Sequence, residues 1–161
     1  MVDLMRFFAG EFYELKSYVS NNHWNYNVED NVYAIMKTID SKYAVLNSSA
    51  TQWKHKFNLE INFEKGNLLL EGILSSSKSY GDGTLTILKL DENDTYSEEI
   101  KKYNYDPSWE KELDFFADAI INNTKVGTSN SLDALKTMNL VYKIYYADQK
   151  WRKKFKIEEH E

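Results

Sequence analysis

Apolar residues at the start of the chain recur at helical spacing and predict a short helix over residues 2–9. Val2, Met5 and Phe8–Ala9 share one face of that helix. Gly10 follows directly and predicts a C-terminal cap in the left-handed conformation. The stretch MVDLMRFFAGEF is therefore amphipathic, although it contains no N-cap residue to mark the start of a helix.

The pattern then changes to the two-residue period of strands. Runs rich in β-forming residues predict strands over 12–19, 31–39 and 42–52, with a tight turn at Asp40–Ser41. One side of the first run holds four residues in alternate positions: Phe12, Glu14, Lys16 and Tyr18.

Residues 57–73 predict a hairpin whose turn is Lys65–Gly66–Asn67. One face of its first strand carries Phe57, Leu59, Ile61 and Phe63. The second strand contributes Leu68, Leu70 and Gly72 to that face. Residues 84–90 predict a further strand, whereas the polar stretch 91–108 predicts a long connection or an edge region.

The last third of the chain returns to helical spacing. Asp106 as N-cap and Pro107 at the first helical position start one helix, with an apolar stripe of Trp109, Leu113, Phe116, Ala117 and Ile120. A second helix begins at Asn130 or Ser131 and can continue through Trp151 and Phe155. Its predicted stripe is Leu132, Leu135, Met138, Val141–Tyr142 and Tyr145.

Strands in series followed by helices indicate the α+β class, here as one domain over residues 1–161. We expect a large, mainly antiparallel sheet with helices packed on one face. Several strands carry apolar groups on both sides, as in Val32, Tyr33, Ile35 and Met36. The second face is therefore expected to stay open and to meet another subunit or domain.

Composition narrows the function classes. The net charge is -5, which disfavours a general phosphate- or nucleic-acid-binding role, and the one basic cluster (150–156, KWRKKFK) is read as a solvated helix end. The chain has no cysteine, which removes disulfides and thiolate chemistry and fits a cytoplasmic location. No run is long enough to span a membrane, and Asp3, Arg6 and Glu11 interrupt any signal-peptide core.

The residues alone supply no catalytic constellation. His23, His55 and His160 lack metal-ligand spacing, and YGDGT (80–84) is a turn rather than a phosphate loop. Alternation places Glu60 on the solvent or partner side of its strand. The segment WKH at Trp53–His55 is equally compatible with an aromatic core anchor and with a sugar-binding cleft.

Six stretches, in this order along the chain, match the sequence pattern of a known family: MVDLMRFFAGEF, VEDNVYAIMK, SSATQWKHKFNLEINFEKGNLLLEG, KSYGDGTLTI, SWEKELDFFADAI and SNSLDALKTMNLVYKIYYA. Across essentially the whole chain they resemble the C-terminal domain of the Gfo/Idh/MocA oxidoreductases, the relatives of glucose–fructose oxidoreductase and inositol dehydrogenase. The helix pair, with an acidic-aromatic first helix and a DAL-led second helix, is the most specific part of the resemblance.

The resemblance implies a two-part enzyme that transfers hydride between NAD or NADP and a carbinol carbon of a sugar, cyclitol or relative. The Rossmann domain, with the cofactor fingerprint and the catalytic lysine, would be the absent N-terminal part, so this chain holds no cofactor itself. Asp3 matches only the final aspartate of the family's DxGxHxxD-like motif and is read as a helix-orienting group. No catalytic residue carries over, and the substrate-side candidates are Trp53, Tyr80 and Asp3.

The resemblance also implies a homodimer or tetramer built through the open sheet face, with no role for nucleic acid or membrane. The leading interpretation is therefore a substrate-binding and oligomerisation domain that is inactive alone. The alternative is a stand-alone, non-catalytic binding or scaffold module derived from the same family. A small hydrolase or isomerase lacks support because no nucleophile–base pair is evident.

Overall fold

The computed structural model describes residues 1–24, 26–74, 79–127 and 129–159. The helices are α1 (Val2–Ala9), α2 (Ser108–Ile121), α3 (Ser131–Ala147) and α4 (Gln149–Phe155). The strands are β1 (Phe12–Ser20), β2 (Asn31–Thr38), β3 (Tyr43–Ser49), β4 (Asn58–Phe63), β5 (Gly66–Glu71), β6 (Gly83–Leu90) and β7 (Tyr96–Tyr103). The predicted α+β class and antiparallel pairing are confirmed.

The chain forms two compact units, Met1–Thr51 with Lys125–Glu161 and Gln52–Thr124. Strands β1–β3 make a three-stranded sheet in the first unit, and β4–β7 make a four-stranded sheet in the second. The sequence pattern suggested one large sheet. The strands instead form two sheets. β3 is an edge strand of the first sheet and β4 is an edge strand of the second, and residues 50–57 between them belong to neither.

The core of the first unit lies between its sheet and the helices α1 and α3. Alternate residues of β2 face inward, and Met36 at their centre has no exposed surface. The buried cluster consists of Met5, Phe12, Val32, Ala34, Met36, Leu46, Leu140 and Ile144. One face of this sheet is thus covered by helices, as the pattern predicted.

The other face of the three-stranded sheet is open and apolar. Tyr18 of β1 lies opposite Tyr33 of β2, and Ile35 lies opposite Val45 of β3 in the next row. All four side chains are exposed, as is Tyr43. We call these five residues the open face.

Phe12 does not share a side with Glu14, Lys16 and Tyr18, so that part of the predicted pattern is wrong. The pairing register of β1 with β2 shifts between Phe12 and Glu14, which inserts Tyr13 as an extra residue. A bulge of this kind turns the residue before it to the other face of the sheet. Phe12 therefore lies in the core with 2% of its surface exposed.

The predicted apolar stripe of α3 is also wrong in part, because Leu132, Leu135 and Met138 are exposed. The inner face follows a different set at helical spacing: Asp133, Thr137, Leu140 and Ile144. Two of these four are polar, so counting apolar residues selected a neighbouring stripe. Asn130 is the N-cap, as predicted, and its side chain accepts a hydrogen bond from the Asp133 N–H at 3.0 Å.

Asp148 divides the predicted single C-terminal helix into α3 and α4. Its backbone is extended, and its Oδ1 accepts hydrogen bonds from the N–H groups of Lys150 and Trp151 at 2.8 and 2.9 Å. The basic cluster then forms α4, with Arg152, Lys153 and Lys154 in its last turn. Its reading as a helix end, where cations suit the helix dipole, is confirmed.

In the second unit, the β4–β5 hairpin turns at Glu64–Lys65, one residue before the predicted turn, and Gly66 is already in β5 opposite Phe63. The polar stretch after β6 contains β7, which is the edge strand that one alternative predicted. Helix α2 starts at Ser108, where Asp106 accepts from the Ser108 N–H at 2.9 Å. Its predicted stripe is exposed at Trp109, Leu113, Phe116 and Ile120.

Gly66 gives a direct test of this sheet. A Cβ atom there would lie 2.3 Å from the carbonyl oxygen of Leu88 on β6, a backbone atom that cannot rotate away. We expect Gly66→Ala to lower the free energy of unfolding by about 2–3 kcal/mol, because overpacking forces the strands apart. Gly127→Ala is the matched control, since a Cβ atom at Gly127 would meet nothing within 4 Å. Equal denaturant midpoints for the two variants would contradict this packing.

Candidate functional site

The second unit contains a cleft of about 480 Å³ at one end of its sheet. The cleft lies where β4 begins, β5 ends and the chain enters β6. Its lining combines cationic, aromatic and polar side chains: Gln52, Lys54, His55, Lys56, Phe57, Glu71 and Tyr80.

Gly72 draws the walls of this cleft together. Its N–H donates to the carbonyl oxygen of Phe57 at 3.0 Å, which extends the hairpin past β5. Its φ is +73°, and a Cβ atom there would lie 2.2 Å from the carbonyl oxygen of Asp82. Only glycine tolerates both the conformation and this approach. The segment after Tyr80 is thereby held against the start of β4.

The rings of His55 and Tyr80 face each other across this junction, with 5.0 Å between centroids and 53° between planes. An aromatic wall of this kind suits the C–H face of a sugar ring, and the tyrosine hydroxyl and imidazole nitrogens supply polar contacts.

Positive charge is concentrated in the cleft. Lys54, His55 and Lys56 line it together with a single carboxylate, that of Glu71. Within the described part of the chain, neither lysine forms an ion pair. A chain of net charge -5 thus presents a local excess of ammonium groups, which favours an acidic ligand.

The sequence-predicted site residues are distributed over two places. Tyr80 lines the cleft, and its role on the substrate side stays a prediction. Trp53 is fully exposed at 106% and is not among the cleft residues, so it is not the core anchor of the alternative reading. Asp3 belongs to the first unit and borders a different pocket, of about 410 Å³, beside Arg6. His160 lies outside the described residues.

Arg6 is the centre of an ionic cluster between α1 and α3, which we call the Arg6 cluster: Asp3, Arg6, Glu11, Asp133 and Thr137. Only 6% of the Arg6 side chain is exposed. Its guanidinium donates to Glu11 at 2.9 Å, to Asp133 at 3.1 Å and to Asp3 at 3.2 Å.

The Arg6 cluster satisfies its own charges. All three guanidinium nitrogens donate to protein acceptors, and the Thr137 hydroxyl bridges Arg6 and Asp3 at 2.6 and 2.7 Å. The hydrogen bond from Arg6 lowers the pKa of Glu11 below its ordinary value. Because Arg6 has no donor left over for an anion, the cluster orients α1 on α3. Asp3 thus has the helix-orienting position that the sequence reading gave it.

Sequence reasoning missed part of the cleft. It quoted Lys54 and His55 within WKH but left out Lys56 and Glu71. A signal for Glu71 was available, since the hairpin register places it opposite Asn58 at the start of β4. Glu60 is exposed, as alternation predicted, and its Oε1 accepts from the Asn67 amide at 3.0 Å on the outer side of the hairpin.

Two searches of the described residues complete this description. No group of three or more histidine and acidic side chains is arranged to hold a metal ion in the described ranges. None of the described helices combines the length and apolarity that crossing a bilayer requires.

No model of a protein family matches the sequence, and no curated protein matches it. Solved structures do match. A putative NADPH-dependent oxidoreductase from Desulfitobacterium hafniense superimposes with a TM-score of 0.74 at 15% identity, over 92% of this chain and 43% of that one. UDP-N-acetylglucosamine 3-dehydrogenase from Acidithiobacillus ferrooxidans gives 0.74 at 14% identity, over 93% and 45%.

The WlbA dehydrogenase from Bordetella pertussis, solved with NADH and UDP-GlcNAcA, gives a TM-score of 0.63 at 14% identity, over 91% of this chain and 39% of that one. The chain therefore spans less than half the length of these proteins. At such identities the likeness shows the fold alone, and that fold is consistent with the C-terminal domain of Gfo/Idh/MocA-type oxidoreductases. The resemblance read from the sequence is confirmed at this level.

The Arg6 cluster predicts a specific loss of stability. We expect Arg6→Met to lower the free energy of unfolding by about 2–3 kcal/mol, because charge-assisted hydrogen bonds are lost while the carboxylates remain partly hydrated. Lys136→Met removes a cation 3.9 Å from the same Glu11 carboxylate, and it should cost less than about 0.5 kcal/mol because that lysine is exposed.

The same variant should change the pH dependence of unfolding. The lowered pKa of Glu11 stabilises the fold above its ordinary pKa of 4.5 and this contribution is lost as the pH falls below that value. In Arg6→Met this acid-dependent part should disappear. If Arg6→Met lost as much stability between neutral and acid pH as the parent chain does, the pairing would be contradicted.

Proposed function

We propose that this chain is the substrate-binding and oligomerisation domain of an NAD(P)-dependent oxidoreductase that acts on a sugar, cyclitol or related carbinol. The observation that carries the proposal is the cleft with the His55–Tyr80 pair, set in a fold shared with such enzymes. The excess of ammonium groups at Lys54 and Lys56 favours an acidic sugar or a sugar nucleotide within that class.

The solved relatives support the choice of substrate class. One is a UDP-N-acetylglucosamine 3-dehydrogenase, and another was solved with NADH and UDP-GlcNAcA. Both carry more than half of their length outside the matched part. In this proposal a Rossmann domain supplies the bound NAD or NADP, which accepts or donates the hydride, together with the group that moves the hydroxyl proton. The exposed stripe on α2 supports such a partner domain, since large apolar patches mark interaction surfaces.

Each residue of the cleft has a defined role under this proposal. The His55 and Tyr80 rings contact the sugar face, and Lys54 and Lys56 hold the carboxylate or phosphate by charge-assisted hydrogen bonds. Trp53 is exposed next to them in the chain and is available to stack on an outer part of the ligand. Asp3 keeps α1 oriented through the Arg6 cluster and does not touch the substrate.

Calorimetry of the purified chain tests this assignment. We expect no measurable binding of NAD(H) or NADP(H), whereas a UDP-sugar or glucuronate should bind weakly. Lys54→Ala and Lys56→Ala should each weaken that binding by about tenfold, the usual worth of a charge-assisted hydrogen bond. Lys65→Ala, at the opposite end of the hairpin, is the matched control and should bind normally.

Two results would oppose the proposal. Tight binding of a nicotinamide cofactor by the chain alone would show that it is not limited to the substrate side. Sugar binding that is unaffected by both cleft variants would move the site elsewhere. A chain that binds sugars but never reconstitutes activity with any Rossmann partner favours the alternative of a non-catalytic binding module.

The oligomerisation part of the proposal rests on the open face. Tyr18, Tyr33, Ile35 and Val45 form a contiguous apolar surface across three strands, and exposed apolar patches mark interaction surfaces. We expect the chain to sediment as a dimer or larger species. Ile35→Glu should break the open-face contact and lower the mass of the assembly, because two such charges would meet across a symmetric interface.

Ile39→Glu is the control for this variant. Ile39 is even more exposed than Ile35, but it lies beyond the end of β2 at the turn into β3. It should leave the association unchanged. A chain that is strictly monomeric at high concentration would refute the open face as an interface.

A further inference from the structure

Strand β7 ends the four-stranded sheet, and one of its two edges has no strand partner within the described residues. All eight of its residues are exposed. The register with β6 is continuous, and the strand contains no proline. β7 therefore lacks the bulge, the proline and the covering segment by which proteins commonly blunt an edge strand.

The charges of β7 are segregated about a central apolar residue. The strand reads YSEEIKKY, with Glu98 and Glu99 on one side of Ile100 and Lys101 and Lys102 on the other. Charged residues protect an edge strand in any order. Placing both acids before the centre and both lysines after it does more, because it makes the strand complementary to itself.

The complementarity appears when a second β7 is laid antiparallel on the first, with Ile100 opposite Ile100. Glu99 then lies opposite Lys101 of the second copy, and Glu98 lies opposite Lys102. The twofold axis repeats each pair, so every charge in the strand faces an opposite charge, a favourable arrangement across strands. A parallel pairing would instead place like charges together. A shift by one residue would leave only one kind of opposite-charge pair, Glu98 with Lys101 in one direction or Glu99 with Lys102 in the other.

We propose that β7 is a self-association edge that pairs with β7 of a second copy about a twofold axis at Ile100. Pairing at that register joins two four-stranded sheets into one continuous antiparallel sheet. The row Leu70–Leu85–Lys101 then continues into Glu99 and Ile87 of the second copy. The backbone groups of the free edges bond to each other. Registers shifted by one residue lose charge pairs, and registers shifted by two residues place like charges opposite each other.

This edge is distinct from the open face, which belongs to the first unit. The two surfaces are independent, so a result that rules out association through one of them does not rule out association through the other. A protein with both would form assemblies larger than a dimer, because neither surface is used up by the other. The pairing requires neither substrate nor cofactor, and it does not depend on the proposed enzymatic role.

Cysteine cross-linking reads the register directly, because the chain contains no cysteine of its own. Residues directly opposite on antiparallel strands have Cα atoms about 4.5–5.5 Å apart, within the reach of a disulfide. Ile100→Cys should therefore form a disulfide-linked dimer under mild oxidation. Ser97→Cys is the matched control, because its two copies would lie about 20 Å apart in the proposed register.

We expect Ile100→Cys to cross-link at least tenfold faster than Ser97→Cys in the full chain. Equal rates would indicate random collision and would overturn the proposal. Faster cross-linking of Ser97→Cys would mean another register and would overturn it as well. The readout is a non-reducing gel, so association through the open face does not interfere.

Charge reversal gives a second, equilibrium test. In the Ile35→Glu background, which removes the open-face contact, Glu98→Lys places a lysine opposite Lys102 twice and should raise the dimer dissociation constant at least about tenfold. Adding Lys102→Glu exchanges the two charges, restores complementarity, and should return the constant to within about threefold of the background. A double variant as weak as the single one, or a single variant without effect, would refute the paired register. Unaltered thermal unfolding of both variants confirms that the fold is intact.

Discussion

The first unit depends on one buried guanidinium. Arg6 needs several acceptors once it is withdrawn from water, because an unpaired buried charge costs far more than the pairing returns. The acceptors come from α1, from Glu11 two residues beyond its end and from α3, and they fix which side of α3 faces inward. Leu140 and Ile144 continue that side and complete the core against Met36. The buried charge of Arg6, which pairs near the start of α3, thus determines which apolar residues further along α3 pack against the sheet.

The second unit depends on two close backbone approaches at glycines. Gly66 allows β5 to lie against the carbonyl of Leu88, and Gly72 allows the chain to pass the carbonyl of Asp82. The first approach lets β5 pair closely with β6, and the second lies at the end of the sheet beside the cleft. Much of the chemistry of that cleft then comes from the short run KHK (54–56), which precedes β4 and lines the cleft with all three side chains.

Much of this architecture could be predicted from the sequence, because element boundaries follow local patterns. The bounds of α1, the Asn130 cap and most strands are determined by period, caps and turns. What could not be predicted depends on contacts distant in sequence. The bulge that moves Phe12 into the core leaves the alternation of β1 almost unchanged, and Asp133 and Thr137 look like solvent-facing residues until Arg6 is placed beside them.

The candidate site, too, could be predicted only in part. Tyr80 was predicted from resemblance, and the structure places its ring beside that of His55. The contribution of Lys56 and Glu71 becomes visible only when the two ends of the hairpin are brought together. The roles of Trp53 and Tyr80 in binding remain predictions, which the cleft geometry makes specific enough to test.

Asp148 connects parts of the fold that seem unrelated in sequence. One oxygen of its carboxylate starts α4, and the other accepts from the Val19 N–H of β1 at 2.8 Å. A helix of seven residues is too short to persist in water by itself. Its formation is therefore coupled to its contacts with the rest of the unit, among them the hydrogen bond from β1 to Asp148, and its Trp151 is buried. The order of the C-terminal segment therefore depends on the integrity of the sheet. Loosening β1 would release the basic residues of α4 from their positions over the Tyr146 and Phe155 rings.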